Sequence, residues 1–249
     1  MKKIFLLLVV FFVVSSYAER IRVAAAANIA YALEDLKKEY ERVHPNDTIE
    51  VIIASSGKLA AQIMHGASYD IFLSANLYFP QKLYDTHKTL TKPKVYAKGL
   101  LALFSTKPRD FSHPFKLLQS DTIHEIAIAN PKTAPYGKAA FELLYNKHLV
   151  EKLRKKFVYG ESIGQTFLFT LKVADIGFVA ASLLHAKKMN QYQEGVHYII
   201  LNQKDYTPIK QGVVVLKHAQ GKKAVFSFYN YLFSSNAKRI LQDYGYEVE

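Results

Sequence analysis

The chain has 249 residues, half of them apolar, with 22% charged and 13% aromatic side chains; this excludes global disorder and supplies a core for one large domain or two lobes. It has no cysteine, which excludes a disulfide framework, a thiolate metal site and a cysteine nucleophile. The formal charge is +12, but it is dispersed, and its one dense cluster (Lys152, Arg154, Lys155, Lys156) reads as a solvated helix face rather than a nucleic-acid surface.

The first segment reads as an address. Met1-Lys2-Lys3 is basic, residues 4–14 are an unbroken apolar run, and Ser15-Ser16-Tyr17-Ala18 follows with small residues where cleavage is expected. That is the layout of a secretory signal peptide over 1–18, cut after Ala18. The apolar run falls well short of the roughly 20 residues a membrane-spanning helix needs. The remaining residues keep 31 basic against 21 acidic side chains, a charge of +10, and are expected to form a soluble periplasmic protein.

From there the pattern alternates. A strand over 22–25 leads into a helix over 29–43, in which Ile29, Leu33, Leu36, Tyr40 and Val43 share one face. His44-Pro45 closes that helix. A strand over 49–54 is followed by a helix through Leu59, Ile63 and Met64, a strand over 71–73 and a helix over 77–84. Residues 95–104 read as one long strand passing between two lobes. A second series then gives strands over 126–129, 157–159 and 176–179 and helices over 137–146 and 163–172. Strands over 196–201 and 213–216 and helices over 222–233 and 236–244 complete the chain. Strand–helix alternation predicts βαβ units. The expected fold class is α/β: two lobes with mainly parallel sheets, helices on both faces, and two crossover strands as the hinge, near 94–101 and 208–214. Lobe 1 is expected to comprise 19–97 and 209–249, and lobe 2 to comprise 98–208.

Four strand-to-helix turns share one design. Residues 24–28 (AAAAN), 54–57 (ASSG), 130–137 (NPKTAPYG) and 160–163 (GESI) each place small or capping residues before a helix. The first N–H groups of a helix have no intrahelical acceptor, and the helix dipole adds partial positive charge there. Small residues allow an oxyanion to approach the backbone, so such turns can bind one; each taken singly is also an ordinary cap. The first three turns contain no Asp or Glu. A site of donors alone suits a fully deprotonated tetrahedral dianion and leaves the proton of hydrogen phosphate without an acceptor. Lys58 and Lys138 are expected to face solvent, and Glu161 to face outward. The nine histidines show no metal-binding spacing.

These segments resemble the periplasmic molybdate-binding proteins of ABC importers. The resemblance rests on VAAAAN at 23–28, ASSGKLAAQI at 54–63 and GASYDIFLSA at 66–75. Asn130-Pro131 with Pro135-Tyr136-Gly137, and Tyr244-Gly245-Tyr246 near the end, extend it over nearly all of the exported chain. It implies a two-lobed type II solute-binding fold that captures molybdate, often also tungstate, through hydrogen bonds without a counter-cation. It further implies ligand contacts from Asn28, from Ser56 through hydroxyl and backbone N–H, and from the backbone N–H groups of Tyr136 and Ile163. No cofactor is implied, molybdenum entering only as its oxyanion. The implied partner is an inner-membrane ABC permease with a separate ATPase, since the chain has no GxxxxGK[ST] loop, and the expected state is a monomer. Many members carry a tyrosine donor where this chain has Ala180, and Tyr136 is the candidate replacement. The alternatives are the same fold with sulfate or tungstate alone, a Ser56/Lys58 hydrolase, for which neither GxSxG nor SxxK is present, and ferric iron held by tyrosines.

Overall fold

The structure is a computed structural model that describes residues 19–248; the signal-peptide expectation lies outside them. The first half opens with β1 (Arg20–Ala26), a single 3-10 turn at Ala27–Ile29, and α1 (Ala30–Val43). β2 (Thr48–Ala54), α2 (Ser56–Met64), β3 (Ile71–Ser74) and α3 (Tyr78–Asp85) follow. Val23 and Ala25 of β1 join one apolar cluster and Ala24 another. Successive side chains on a strand point to opposite faces, so this small-residue strand is covered by helices on both sides.

The expected long strand at 95–104 is two strands. β4 (Lys94–Gly99) pairs with β10 (Ile209–Val215), whereas β5 (Leu101–Phe104) pairs with β8 and β9 of the other sheet. Leu100 is the switch between them. The largely apolar sequence gives no sign of such a point, although β5 is wholly buried and β4 exposes Lys94 and Val95. The second sheet also holds β6 (Ile126–Ala129), β7 (Phe157–Gly160), β8 (Ile176–Ala180) and β9 (Tyr198–Ile200). Its helices are α4 (Pro114–Gln119), α5 (Pro135–Asn146), α6 (Val150–Leu153), α7 (Ile163–Lys172) and α8 (Ala181–Leu184). After β9 the chain returns through Tyr206 to β10 in the first sheet, then closes with α9 (Lys223–Tyr231) and α10 (Ser235–Asp243).

The strand orders are β2-β1-β3-β10-β4 and β7-β6-β8-β5-β9. Each sheet is mixed: β2-β1-β3 and β7-β6-β8 are parallel, while β10 and β5 run antiparallel to the neighbours they join. The parallel part comes from the βαβ units, and the antiparallel part from the strands that carry the chain between lobes. The short helices α4, α6 and α8 were not predicted, because four to six residues are too few to display a helical period. Among the described residues no helix is long and apolar enough to cross a membrane.

Candidate anion-binding site

The carboxyl ends of β1, β2 and β6 and the start of α7 converge between the lobes on one small cavity of about 10 Å³, roughly the space of one water-sized sphere. Ala26, Ala27, Asn28, Ser55, Ser56 and Ala75 line it from the first lobe, and Ala134, Pro135, Tyr136 and Ile163 from the second. All four residues named from the sequence, Asn28, Ser56, Tyr136 and Ile163, are therefore brought together. No lining side chain carries a charge.

Each contributes through its place in an element. Ser56 and Ile163 are the first residues of α2 and α7, and Tyr136 is the second of α5, behind Pro135. Proline suits that first position because its missing N–H would have no acceptor there anyway. Neither the Ser55 nor the Ala134 cap position uses a side chain to satisfy the helix start. The backbone N–H groups of Ser56, Tyr136 and Ile163 thus stand where no intrahelical acceptor exists. In the fourth turn, Ser162 is an ordinary cap that accepts from the Gln165 N–H at 3.2 Å. The Ser56 hydroxyl accepts from the Ala75 N–H at 2.9 Å, which orients its oxygen and leaves its own proton to donate.

The lysines lie outside the cavity. Lys58 reaches across the mouth to Glu161 of the other lobe at 3.7 Å, both side chains largely exposed, and Lys138 is also exposed. No histidine, carboxylate or amine lines the cavity beside Ser56, so no lining residue could act as its base. Among the described residues no group of three or more His, Asp or Glu side chains could hold a metal ion.

The lobes touch around the cavity. The Gly57 N–H donates to the Thr133 carbonyl at 2.9 Å, and a Cβ built on Gly57 would lie 2.9 Å from the Thr133 Cα. This close approach requires glycine. On the far side the Ser182 hydroxyl donates to the Asn28 carbonyl at 2.9 Å. These contacts make the arrangement a closed one.

Tyr136 turns its ring away from the role suggested by Ala180. Its hydroxyl is packed beside Gly99 and Gln211, at the crossing between lobes, with no well-formed hydrogen bond. Burial, with Tyr246, Tyr96 and Tyr206 nearby, pushes its phenol well above the ordinary range, against a smaller opposing effect of Gln211. It stays neutral at physiological pH. Sequence reasoning missed Gln211, Ser182 and the position of Tyr246, which form the layer behind Asn28. A glutamine in β10 at the alternate position that shares a strand face with Ile209 and Val213, opposite Lys210, was the available signal.

The model for bacterial extracellular solute-binding proteins matches residues 21–247. The chain belongs to that family. It is 32% identical to the molybdate-binding protein ModA of Azotobacter vinelandii over 240 residues, covering 94% of this chain and 92% of that protein. It is 34% identical to the molybdate-binding protein ModA of Rhodobacter capsulatus over 204 residues, covering 81% and 78% respectively. The solved periplasmic molybdate-binding protein of Azotobacter vinelandii superposes with a TM-score of 0.85 at 30% identity, covering 92% of this chain and 99% of that one. The two-lobed solute-binding fold accounts for both sheets and the two crossings between them.

Proposed function

We propose that this chain is the periplasmic receptor that captures molybdate, and tungstate with it, for an ABC importer. The observation that carries the reading is the wall of the interlobe cavity: three helix starts and the Ser56 hydroxyl, with no charged side chain. Such a wall compensates an anion through dipoles and N–H donors alone. It offers no carboxylate to take the proton of hydrogen phosphate, and leaving that proton unpaired in a buried site costs about 1–3 kcal/mol. The molybdate-binding relatives support the choice among tetrahedral dianions. The ligand contacts are the Ser56 hydroxyl and N–H, the Tyr136 and Ile163 N–H groups, and Asn28.

The moving bodies are residues 19–97 with 209–249, and residues 98–208, flexing where the chain crosses near Leu100 and Pro208. The anion favours the closed form because it contacts both bodies, and its differential affinity sets the shift. The closed monomer, exported through a cleavable signal peptide over 1–18, delivers its ligand to an inner-membrane permease driven by a separate ATPase. It performs no catalysis and needs no cofactor.

Titration calorimetry of the exported chain with molybdate, tungstate, sulfate and phosphate tests the reading. Tight binding of molybdate and tungstate, with sulfate and phosphate weaker by more than about a hundredfold, an affinity gap of roughly 2.7 kcal/mol, is expected. Parity of sulfate with molybdate overturns it in favour of the same fold serving another oxyanion.

A further inference from the structure

Asn28 lines the cavity, yet its amide nitrogen is committed elsewhere, and its buried Oδ1 has no hydrogen-bond partner among the described residues. Its amide nitrogen donates to Gln211 Oε1 at 2.9 Å and to the Tyr246 hydroxyl at 2.7 Å, which accounts for both amide protons. The direction of this chain of bonds is fixed at its far end. Gln211 Nε2 donates to the Ile209 carbonyl at 3.1 Å, and a carbonyl only accepts. Gln211 must therefore present its oxygen to Asn28, and Asn28 its nitrogen to Gln211. The Asn28 carbonyl meanwhile accepts from Ser182 of the second lobe. Asn28 is thus gripped by β10, by the C-terminal segment and by α8 at once.

Tyr246 can serve in this way because its segment is strapped down. Glu247 and Lys98 exchange backbone hydrogen bonds at 2.7 and 3.0 Å, and the Tyr246 N–H donates to the Leu241 carbonyl at 3.0 Å. Gly245 makes the turn out of α10 with φ of +72°, a conformation that favours glycine. The Tyr246 ring is buried, and burial raises its phenol pKa while Ser182 and Asn28 draw it back.

We propose that Tyr246 is a positioning residue for the anion site: through its hydroxyl the C-terminal segment fixes Asn28 against Gln211 and Ser182, and so sets the affinity of the closed form. The proposal rests on the oxyanion reading above. A first-layer residue whose amide is held rigid keeps its backbone and side chain in binding geometry without an ordering cost at the moment of capture. It also places one polar junction where both lobes and the last strap of the chain meet, so closure and site geometry are made together.

The test is molybdate calorimetry on wild type, Y246F, N28A and the Y246F/N28A double variant, with thermal unfolding of each without ligand. Y246F keeps the ring and loses only the hydroxyl. Its affinity is expected to fall about tenfold, the size of one lost buried hydrogen bond. In the N28A background the same change is expected to move affinity less than about twofold, because the group it positions is gone. Unchanged affinity in Y246F overturns the proposal, and so does an equal loss in both backgrounds, which would mark a general effect on folding. If Y246F does not fold, Q211M carries the same test on the other bond to the Asn28 side-chain amide, with a loss in wild type that vanishes in N28A. Failure of wild type to bind molybdate overturns the function reading and this proposal together, whereas binding by wild type with an unaffected Y246F overturns the positioning role alone.

Discussion

The Asp70 carboxylate and the interlobe cavity both serve negative charge away from water, and they do so with opposite donors. Asp70 is fully buried at the start of β3. Its Oδ1 lies 2.8 Å from His218 Nδ1 and 2.8 Å from Lys222 Nζ, and its Oδ2 accepts the Arg22 backbone N–H at 2.8 Å. The cavity is lined by neutral groups only. The contrast follows from permanence. A carboxylate that is always present can be matched by an ammonium, since neither is ever left alone. A captured anion leaves, and a buried ammonium stranded in the empty site would cost several kcal/mol. Stranded neutral donors cost less and can be satisfied by water. Neutral donors also discriminate by direction and by protonation state, where an ammonium attracts any anion.

Asp70→Ala gives the largest expected effect on that comparison. Removing one member of this ion cluster should cost about 3 kcal/mol of unfolding free energy in denaturant titration, with molybdate affinity unchanged, because the cluster belongs to the first lobe alone. The wild-type pH profile carries the same information. Burial works to raise the Asp70 pKa, but Lys222, the Arg22 N–H and His218 outweigh it and hold the carboxyl below its ordinary value. A depressed folded pKa means that this contribution is present above the unfolded value near 3.8 and is lost as pH falls through the folded one. Acid unfolding of wild type should therefore steepen below about pH 4, and Asp70→Ala should flatten that limb.

Ser56→Ala comes next. Losing a hydroxyl donor to a charged ligand should cost about 1.5–3 kcal/mol of binding free energy by calorimetry, and the ligand-free melting temperature should also fall, because the buried Ala75 N–H loses its acceptor. An unchanged dissociation constant would leave the Ser56 hydroxyl only its structural bond to Ala75. Lys58→Met should have the smallest effect. Its partner Glu161 is across the mouth and both side chains are exposed, so molybdate affinity should change less than about threefold. A loss of tenfold or more would show that charge takes part in holding the anion, and the contrast with Asp70 would fail.

Much of the frame was legible. The helices with a clear apolar face, such as α1 with Leu33, Leu36 and Tyr40 buried, lie where their period places them. The small-residue turns marked four segments, and the family resemblance singled out Asn28, Ser56, Tyr136 and Ile163 within them; these four meet at one cavity. Three things were not legible. The break at Leu100 depends on which sheet each flanking strand pairs with, and the apolar run is silent on that. The Tyr136 hydroxyl looked free to replace a donor missing at Ala180, but the ring is drawn toward Gly99 and Gln211 at the crossing. The grip on Asn28 joins residues more than 150 positions apart, a separation that local pattern does not register.

The sequence by itself determined the alternation of elements, the neutral chemistry of the turns and the family resemblance, because periodicity, capping and side-chain type are local properties. Tertiary structure alone decided the switch at Leu100, the side of the crossing that Tyr136 faces, and the joining of Tyr246, Gln211 and Ser182 at Asn28. Those outcomes depend on strand pairing and on which buried donor finds which acceptor, and only the packed lobes settle that competition.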